Sequence, residues 1–360
     1  MLFPQIFLRS FRLLLFPIAL LYGLIIFIRN WLYDKNFLRS FSFGLPLISV
    51  GNLAVGGTGK SPFIQYLVHF IGTPETLAVL SRGYKRRSRG YRLAKPDSTV
   101  AEIGDEALLL YQRFPELSVA VGEQRILAIP QLLQDRPGIR CILLDDAHQH
   151  RSIRPGYQIL LTDYNNLFTR DFFMPTGDLR DERRSYRRAE VLVVTKCPSD
   201  LDPRAAEAIR QEIGPLPHQR VFFTTQAMET PRHWQHPSNT RSPHQQEVLL
   251  VTGIANPALL KSWMEQEAAS YQFMPFADHH LFNIHDIREI REQYRQLQNA
   301  DAWILTTAKD AVRLSPFAQE MQDLPVYVTD YQHQFLFGEE PAFQQLIRAY
   351  LADQKKTTHG

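Results

Sequence analysis

The sequence predicts an α/β protein: a parallel sheet with helices on both faces, a second and smaller α/β unit, and an amino-terminal membrane-anchor helix. Three observations support this prediction. Short β-branched runs alternate with helical stretches, one glycine-rich loop follows a strand and precedes a helix, and a long uncharged segment comes before both. Such alternation is typical of parallel sheets, whose strands are joined by helical crossovers.

The larger unit follows the uncharged segment. Its β-branched and apolar runs predict strands, and the stretches between them predict helices. The predicted strands cover residues 47–50, 77–80, 118–121, 141–144, 158–162 and 191–195, and the predicted helices cover 62–71, 105–114 and 124–133.

A polar stretch at 226–246, rich in Pro, His and Thr, is typical of a linker or long loop. The alternation then resumes, with strands predicted at 248–252, 271–275, 303–307 and 326–329, and helices beginning at Asn256 and His285 and near 341–351. The predicted divisions are an anchor and flank (1–40), a first domain (41–217), a linker or hinge (218–246), a smaller α/β domain (247–352) and a disordered polar tail (353–360).

Composition excludes some classes of function. The chain has 40 Lys and Arg against 37 Asp and Glu, and this net charge of +3 is too small to suggest a nucleic-acid partner. The two cysteines, Cys141 and Cys197, give neither a disulfide framework nor a zinc-ligand spacing. We therefore expect core thiols in a reducing compartment.

The uncharged amino-terminal segment covers residues 13–28, between Arg12 and Arg29. It is shorter than the roughly 20 residues that a full span needs, but Trp31–Tyr33 extend its apolar character. No small-residue cleavage site follows, which disfavours a signal peptide. We predict a membrane-inserted or interfacial anchor; a buried core helix is the alternative, and whether the anchor spans the bilayer stays open.

The glycine-rich loop has the order of a nucleotide-binding P-loop. Its glycines let backbone N–H groups surround phosphate oxygens, its lysine reaches the β- and γ-phosphates, and its serine hydroxyl binds Mg²⁺. The first position is alanine, where the strict pattern has glycine. The predicted fold is therefore P-loop NTPase-like, with ATP bound by Ala54, Val55, Gly56, Gly57, Thr58, Gly59, Lys60 and Ser61.

A P-loop enzyme also needs a carboxylate at the end of a neighbouring strand to hold Mg²⁺. Asp145 and Asp146 follow the apolar run 141–144, so we expect Ser61 and one or both aspartates to bind the metal. Which aspartate touches it directly stays open. Basic residues cluster at 85–89 and 180–188. They are either solvated loop charges or contacts for anionic phospholipid heads.

Further motifs occur in order along the chain, and together with the P-loop they resemble those of the tetraacyldisaccharide 4′-kinase family of lipid A biosynthesis. The chain departs from the family pattern at Ala147, His148 and Asp181. The matching segments are residues 48–52, Ser81-Arg82-Gly83-Tyr84, Gly104-Asp105-Glu106, 145–151, 174–181, 253–257, Asp278-His279-His280 and Thr307-Ala308-Lys309-Asp310.

The resemblance implies transfer of the ATP γ-phosphate to the 4′-hydroxyl of a tetraacyl glucosamine disaccharide 1-phosphate, giving lipid IVA. It also implies the inner membrane as the location, with the catalytic domains on the cytoplasmic face. The implied partners are ATP, Mg²⁺, the lipid A disaccharide 1-phosphate and inner-membrane phospholipid, and we expect a monomer.

The resemblance further implies Asp105 as the proton acceptor, with His279 as its partner from the second domain. From the residues alone, Asp105 also fits a helix N-cap, because Gly104-Asp105-Glu106 precedes an apolar run. The resemblance implies substrate contacts for Arg125, His150 and Asp181.

Three alternatives remain: another membrane-associated P-loop kinase or ATPase, a nucleotide-dependent switch such as a metal-insertion GTPase, and a pure membrane scaffold. Such a GTPase should carry Asn-Lys-x-Asp after a late strand. The corresponding segments, 195–198 and 307–310, lack that asparagine, which favours ATP over GTP. The scaffold would not need Lys60, Ser61 and Asp145 together.

Overall fold

The computed structural model describes residues 12–297 and 299–358, which contain two sheets flanked by helices. The strands are β1 (Leu47–Asn52), β2 (Leu77–Ser81), β3 (Arg92–Leu93), β4 (Ser118–Val121), β5 (Cys141–Asp145), β6 (Tyr157–Asp163), β7 (Val191–Thr195), β8 (Arg220–Met228), β9 (Arg232–His233), β10 (Glu247–Thr252), β11 (Ser270–Pro275), β12 (Trp303–Thr307), β13 (Val326–Thr329) and β14 (Tyr331–Phe335).

The helices are named in the same way, in chain order. They are α1 (Phe16–Asp34), α2 (Lys60–Ile71), α3 (Val100–Ile103), α4 (Asp105–Arg113), α5 (Arg125–Asp135), α6 (Pro203–Ile213), α7 (Ala258–Glu267), α8 (Ile284–Arg295), α9 (Ala308–Leu314) and α10 (Glu340–Thr358).

The larger sheet has the strand order β14-β8-β7-β6-β1-β5-β2-β4-β3 and is parallel except at its two edge strands, β14 and β3. Successive residues of β1 face opposite sides: Ile48 packs with Phe63 of α2, whereas Leu47 packs with Ile129 of α5. Because both faces are buried, the strands consist of almost continuous apolar runs. The predicted fold class, with helices on both faces of a parallel sheet, is confirmed.

The smaller sheet has the order β11-β10-β12-β13-β9 and is parallel except at β9. It joins the larger sheet through two connections, since the chain enters it after β8 and leaves it between β13 and β14. The backbones of the two connections are bonded to each other, because Glu229 N donates to Asp330 O at 2.9 Å.

The linker predicted at 218–246 is corrected by the structure. Its apolar and β-branched segment, Val221-Phe222-Phe223-Thr224-Thr225, forms part of β8 in the larger sheet. The last strand and helix also return to that sheet, where Phe343 and Ile347 of α10 share a core with Phe63. The smaller unit therefore ends before β14 and does not extend to residue 352.

The tail at 353–360 was predicted to be disordered, but α10 continues through Thr358. Its polar residues extend a helix whose earlier apolar side chains anchor it to the larger sheet. Residues 359 and 360 lie outside the described residues.

Helix α1 differs from the other helices in its exposure. Only 17% of its most apolar 18-residue window is buried, so the alternative of a buried core helix is wrong. Within residues 12–297 and 299–358, α1 is the one helix that is long and apolar enough to cross a membrane.

Candidate active site

The P-loop connects the end of β1 to the start of α2 at the carboxyl edge of the larger sheet. Gly56 and Gly59 have φ values of 106° and 83°, which lie in the left-handed region that favours glycine. A Cβ added at Gly56 or Gly57 would meet no heavy atom within 4 Å. The space beside the Cα atoms in the middle of the loop is therefore open.

Lys60, the first residue of α2, directs its ammonium group back toward β1 and β5. Its Nζ lies 3.1 Å from Asn52 Oδ1 and 3.6 Å from Asp146 Oδ1. Arg180, which the sequence analysis grouped with the basic surface residues, also contacts Asp146, with one Nη at 2.9 Å from Oδ2. Two cations therefore converge where an anionic ligand would meet the P-loop.

The two predicted aspartates lie in different environments. Pairing of β5 with β1 sets Asp145 opposite Val50, at the strand ends beside the loop. Burial, together with the charges of Glu106 and Asp146, raises the pKa of Asp145 to about 7. Burial also opposes ionisation of Asp146, but the Arg180 hydrogen bond and Lys60 charge outweigh it and lower its pKa.

The residues at this edge fit a magnesium ion. Asp145 Oδ1 is buried and has no hydrogen-bond partner among the described residues. The described part of the chain contains no group of three His, Cys, Asp or Glu side chains that could hold a metal by themselves. Mg²⁺ at phosphate sites is held by one or two carboxylates together with the phosphates, so this donor set is sufficient.

The predicted pair is brought together from the two units, with Asp105 in the larger and His279 in the smaller. Asp105 begins α4, and His279 lies in the loop after β11, where its φ of 60° is left-handed. His279 Nδ1 lies 2.9 Å from Asp105 Oδ2, although 174 residues separate the two in sequence. A left-handed histidine is uncommon and is typical of functional loops.

Arg313 of α9 is a third member of this group that the sequence analysis missed. Its guanidinium contacts Asp105, with Nε at 3.2 Å from Oδ2, and donates to Asp310 Oδ1 at 3.0 Å. Burial opposes ionisation of Asp105, but the hydrogen bonds from His279 and Arg313 and the nearby positive charges outweigh it. They hold the pKa of Asp105 well below its usual range.

Asp105, His279 and Arg313 lie next to the edge of the larger sheet that carries the P-loop. Glu106 follows Asp105 in α4, pairs with Lys309 of α9, and raises the pKa of Asp145 through its charge. The start of α4 is thus linked to α9 of the smaller unit on one side and to the predicted metal ligand on the other.

The three residues predicted to contact substrate have different surroundings. His150 is half-buried, and burial and the charge of Arg125 lower its pKa to about 4. Arg125 is 1% exposed and donates to the backbone oxygens of Gly122 and Asp145. Through these hydrogen bonds Arg125 supports the end of β5, and its contact with substrate stays a prediction.

Asp181 is fully buried, and its oxygens already accept hydrogen bonds from protein groups. The donors are Asn30 Nδ2, Ser185 Oγ, Glu182 N and an Arg188 Nη, at 2.8 to 3.0 Å. The carboxylate of Asp181 joins α1 to the segment that carries Arg180, and its contact with substrate stays a prediction.

His333 of β14, which the sequence did not indicate as a site residue, contacts the backbone of the P-loop. Its Nε2–H donates to Gly59 O at 2.9 Å, and its Nδ1 accepts from Thr224 Oγ1 at 3.0 Å. Burial lowers the pKa of His333 to about 4, so the ring is neutral and its two nitrogens keep these roles. No local sequence pattern signals this contact, because 274 residues separate the two partners.

Comparison with known proteins identifies the family. The model of the family described as tetraacyldisaccharide-1-P 4′-kinase matches residues 11–352. The chain belongs to the tetraacyldisaccharide 4′-kinase family. The relative of that name from Flavobacterium johnsoniae is 41% identical over 326 residues, covering 90% of this chain and 94% of the relative. The one from Bacteroides thetaiotaomicron is 38% identical over 358 residues, covering 96% and 94%.

A solved structure agrees with this assignment. The structure titled as the "apo" form of LpxK from Aquifex aeolicus in complex with ATP is similar with a TM-score of 0.74 and 26% identity. The match covers 95% of this chain and 99% of that one. The family predicted from the motifs is thus confirmed. The chain is a 4′-kinase that phosphorylates a lipid A precursor, and ATP binding is supported by the ATP-complexed relative.

Proposed function

We propose that this 4′-kinase transfers the γ-phosphate of ATP to the 4′-hydroxyl of its tetraacyldisaccharide 1-phosphate acceptor with Asp105 as the proton acceptor. The single observation that carries the proposal is the contact between Asp105 and His279, joined across two sheets beside the P-loop. Phosphoryl transfer needs an oriented nucleophile as well as held phosphates, and this pair supplies a carboxylate for the hydroxyl proton.

Because its pKa is lowered, Asp105 is ionised at neutral pH and can accept a hydrogen bond from the substrate hydroxyl. The same contacts make it a weaker base than a free carboxylate. His279, through Nδ1–H, fixes the direction of the carboxylate. As His279 and Arg313 belong to the smaller unit, contact between the units completes the site and limits access of water to the phosphate.

We infer that the P-loop amides and Lys60 hold the β- and γ-phosphates, and that Ser61 with Asp145 or Asp146 holds Mg²⁺. When bound, Mg²⁺ neutralises charge on the phosphate oxygens and orients them for in-line transfer. The unpartnered Asp145 Oδ1 supports this assignment. Arg180 supplies a second positive charge at Asp146.

Helix α1 is proposed to hold the kinase at the inner membrane, with the nucleotide site facing the cytoplasm. Its exposed apolar side chains support insertion among lipid chains. Among the basic residues at 183–187, Arg184 lies next to α1, and its guanidinium stacks over Phe27 at 4.7 Å from the ring centroid. Each such charge near anionic phospholipid contributes about 1 kcal/mol of attraction. We expect the kinase to act as a monomer.

The test is transfer of labelled γ-phosphate from ATP to the disaccharide 1-phosphate in detergent micelles, followed by thin-layer separation. Wild type is compared with Lys60→Ala and Asp105→Ala. A new, more polar labelled lipid that both substitutions largely abolish is the expected result. Consumption of ATP without labelled lipid would overturn the proposal in favour of an ATPase or nucleotide switch.

A further inference from the structure

Helix α1 has two faces with different chemistry. Its outward face carries apolar side chains that the structure leaves exposed, including Leu21, Leu24 and Ile25, as a lipid anchor requires. Its inward face has only three buried residues, Ala19, Gly23 and Asn30, and one of these is polar. An anchor needs no buried amide, so the inward face calls for a separate explanation.

Hydrogen bonds join the inward face to the protein body. Tyr22 Oη donates to Arg180 O at 3.1 Å, and Asn30 Nδ2 donates to the buried Asp181 Oδ1 at 2.8 Å. One Nη of Arg29 donates to Gln149 O at 2.6 Å. Each of these partners lies within a loop that touches the nucleotide site.

Close packing reinforces the polar contacts. A Cβ added at Gly23 would lie 2.7 Å from the ring of Phe173, so glycine at this position lets the helix approach the loop before Arg180. The ring of Tyr22 also packs against Phe173, with centroids 6.1 Å apart. The helix is therefore seated in one defined position on this loop.

The loop that α1 holds is bonded directly to the P-loop. Arg180 N donates to Leu53 O at 2.8 Å, and Val55 N donates to Asp178 O at 2.7 Å. The Arg180 side chain then extends from this short pairing to Asp146 and Asn52. Displacing the backbone at 180 would displace both the start of the P-loop and one of its cations.

A second connection runs from Arg29 through Gln149. Gln149 Nε2 donates to Asn52 O at 2.7 Å, and Asn52 Oδ1 accepts from Lys60 Nζ at 3.1 Å. Two sets of hydrogen bonds, which both reach Asn52, therefore join α1 to the residues around the P-loop lysine.

We propose that the inward face of α1 is a structural part of the phosphate-binding site, with Tyr22, Arg29 and Asn30 as positioning residues for Arg180 and the P-loop. The inference rests on the proposed function in one respect, namely that the P-loop binds the ATP phosphates. It predicts that ATP affinity depends on the inward face of the helix and membrane attachment on the outward face.

The experiment measures the dissociation constant of a ribose-labelled fluorescent ATP analogue with Mg²⁺, using the full chain in detergent micelles without lipid acceptor. Asn30→Leu removes the amide at similar size, and Tyr22→Phe removes only a hydroxyl. Ile25→Asn, on the exposed face, is the matched control that introduces an amide where lipid is expected. Binding of each variant to phospholipid vesicles and its thermal unfolding are measured in parallel.

We expect Asn30→Leu to weaken ATP binding about tenfold and Tyr22→Phe a few-fold, a range usual for coupling between sites. Vesicle binding of both should be unchanged. Ile25→Asn should lower vesicle binding while leaving ATP affinity within about twofold of wild type. Equal ATP affinity in wild type, Asn30→Leu and Tyr22→Phe would overturn the proposal, and Tyr22→Phe keeps it testable if Asn30→Leu does not fold.

A double-mutant cycle separates positioning from general destabilisation. If Asn30 acts through Arg180, Asn30→Leu should weaken ATP binding much less in an Arg180→Met background than in wild type. Additive losses would contradict the proposed route. Because binding is measured without the lipid, these outcomes are independent of whether labelled lipid forms, which tests the proposed function separately.

Discussion

The P-loop and the Asp105–His279 pair are built in different ways. The P-loop is one continuous segment whose conformation follows from its glycines and from the strand and helix at its ends. The pair joins one residue from each of the two units, and Arg313, which also contacts Asp105, comes from a separate helix. The conformation of the P-loop can be predicted from a local segment, whereas the geometry of the proposed proton acceptor depends on how the two units meet.

The largest expected effect concerns the assembled site. Asp105→Asn keeps the size of the side chain but removes its ability to accept a proton, so kcat should fall by about 10²–10⁴-fold. The KM for ATP should stay within about threefold, because the P-loop is built independently. Steady-state transfer of labelled phosphate measures both constants. A kcat close to that of wild type would mean that another group accepts the proton.

The same contrast explains what could be predicted from the sequence. The P-loop, Asp145 and Asp146 follow from residues that are close together in the chain. The pairing of Asp105 with His279 was implied only by the family motifs, since nothing local connects residues 174 positions apart. Arg313 and His333 were missed because their partners lie on distant elements.

The predicted boundaries of the two units were wrong for a related reason. The polar stretch after residue 226 suggested a linker, but the preceding run was already a strand of the larger sheet. The return of β14 to that sheet could not be read locally, because β13 and β14 are separated by a single residue, Asp330. A sheet change within so short a connection leaves no compositional signal.

A second prediction tests whether His279 acts through Asp105. His279→Phe removes the Nδ1–H that orients the carboxylate, and we expect kcat to fall by about 10–100-fold, less than for Asp105→Asn. In the double variant with Asp105→Asn, His279→Phe should cause little further loss, because its partner is already disabled. Full additivity in transfer assays would argue that His279 contacts the substrate itself.

A third prediction concerns the contact between the P-loop and β14. His333→Phe removes the donor to Gly59 O, and the loss of one hydrogen bond should raise the KM for ATP about three- to tenfold. The KM for the lipid should not change. Gln334→Ala, on the opposite and exposed side of β14, is the matched control. An unchanged KM for ATP would show that the P-loop holds its conformation without β14.

The smallest expected effect is on stability, and it follows from the same histidine. The pKa of His333 is lowered to about 4 in the folded protein, against about 6.5 when unfolded. Between these values the unfolded chain binds a proton that the folded chain does not. The free energy of unfolding should therefore fall as pH decreases from 6.5 to 4, by at most about 1.4 kcal/mol per pH unit for this group.

His148 and His150 also have lowered pKa values, about 3 and about 4, so they should add to this dependence. Urea unfolding at several pH values, compared between wild type and His333→Gln, isolates the share of His333. The variant should show a shallower loss of stability on acidification, while His285→Gln, an exposed substitution on α8, should retain the wild-type slope. Equal slopes in wild type and His333→Gln would mean that His333 is protonated as readily in the folded protein as in the unfolded chain.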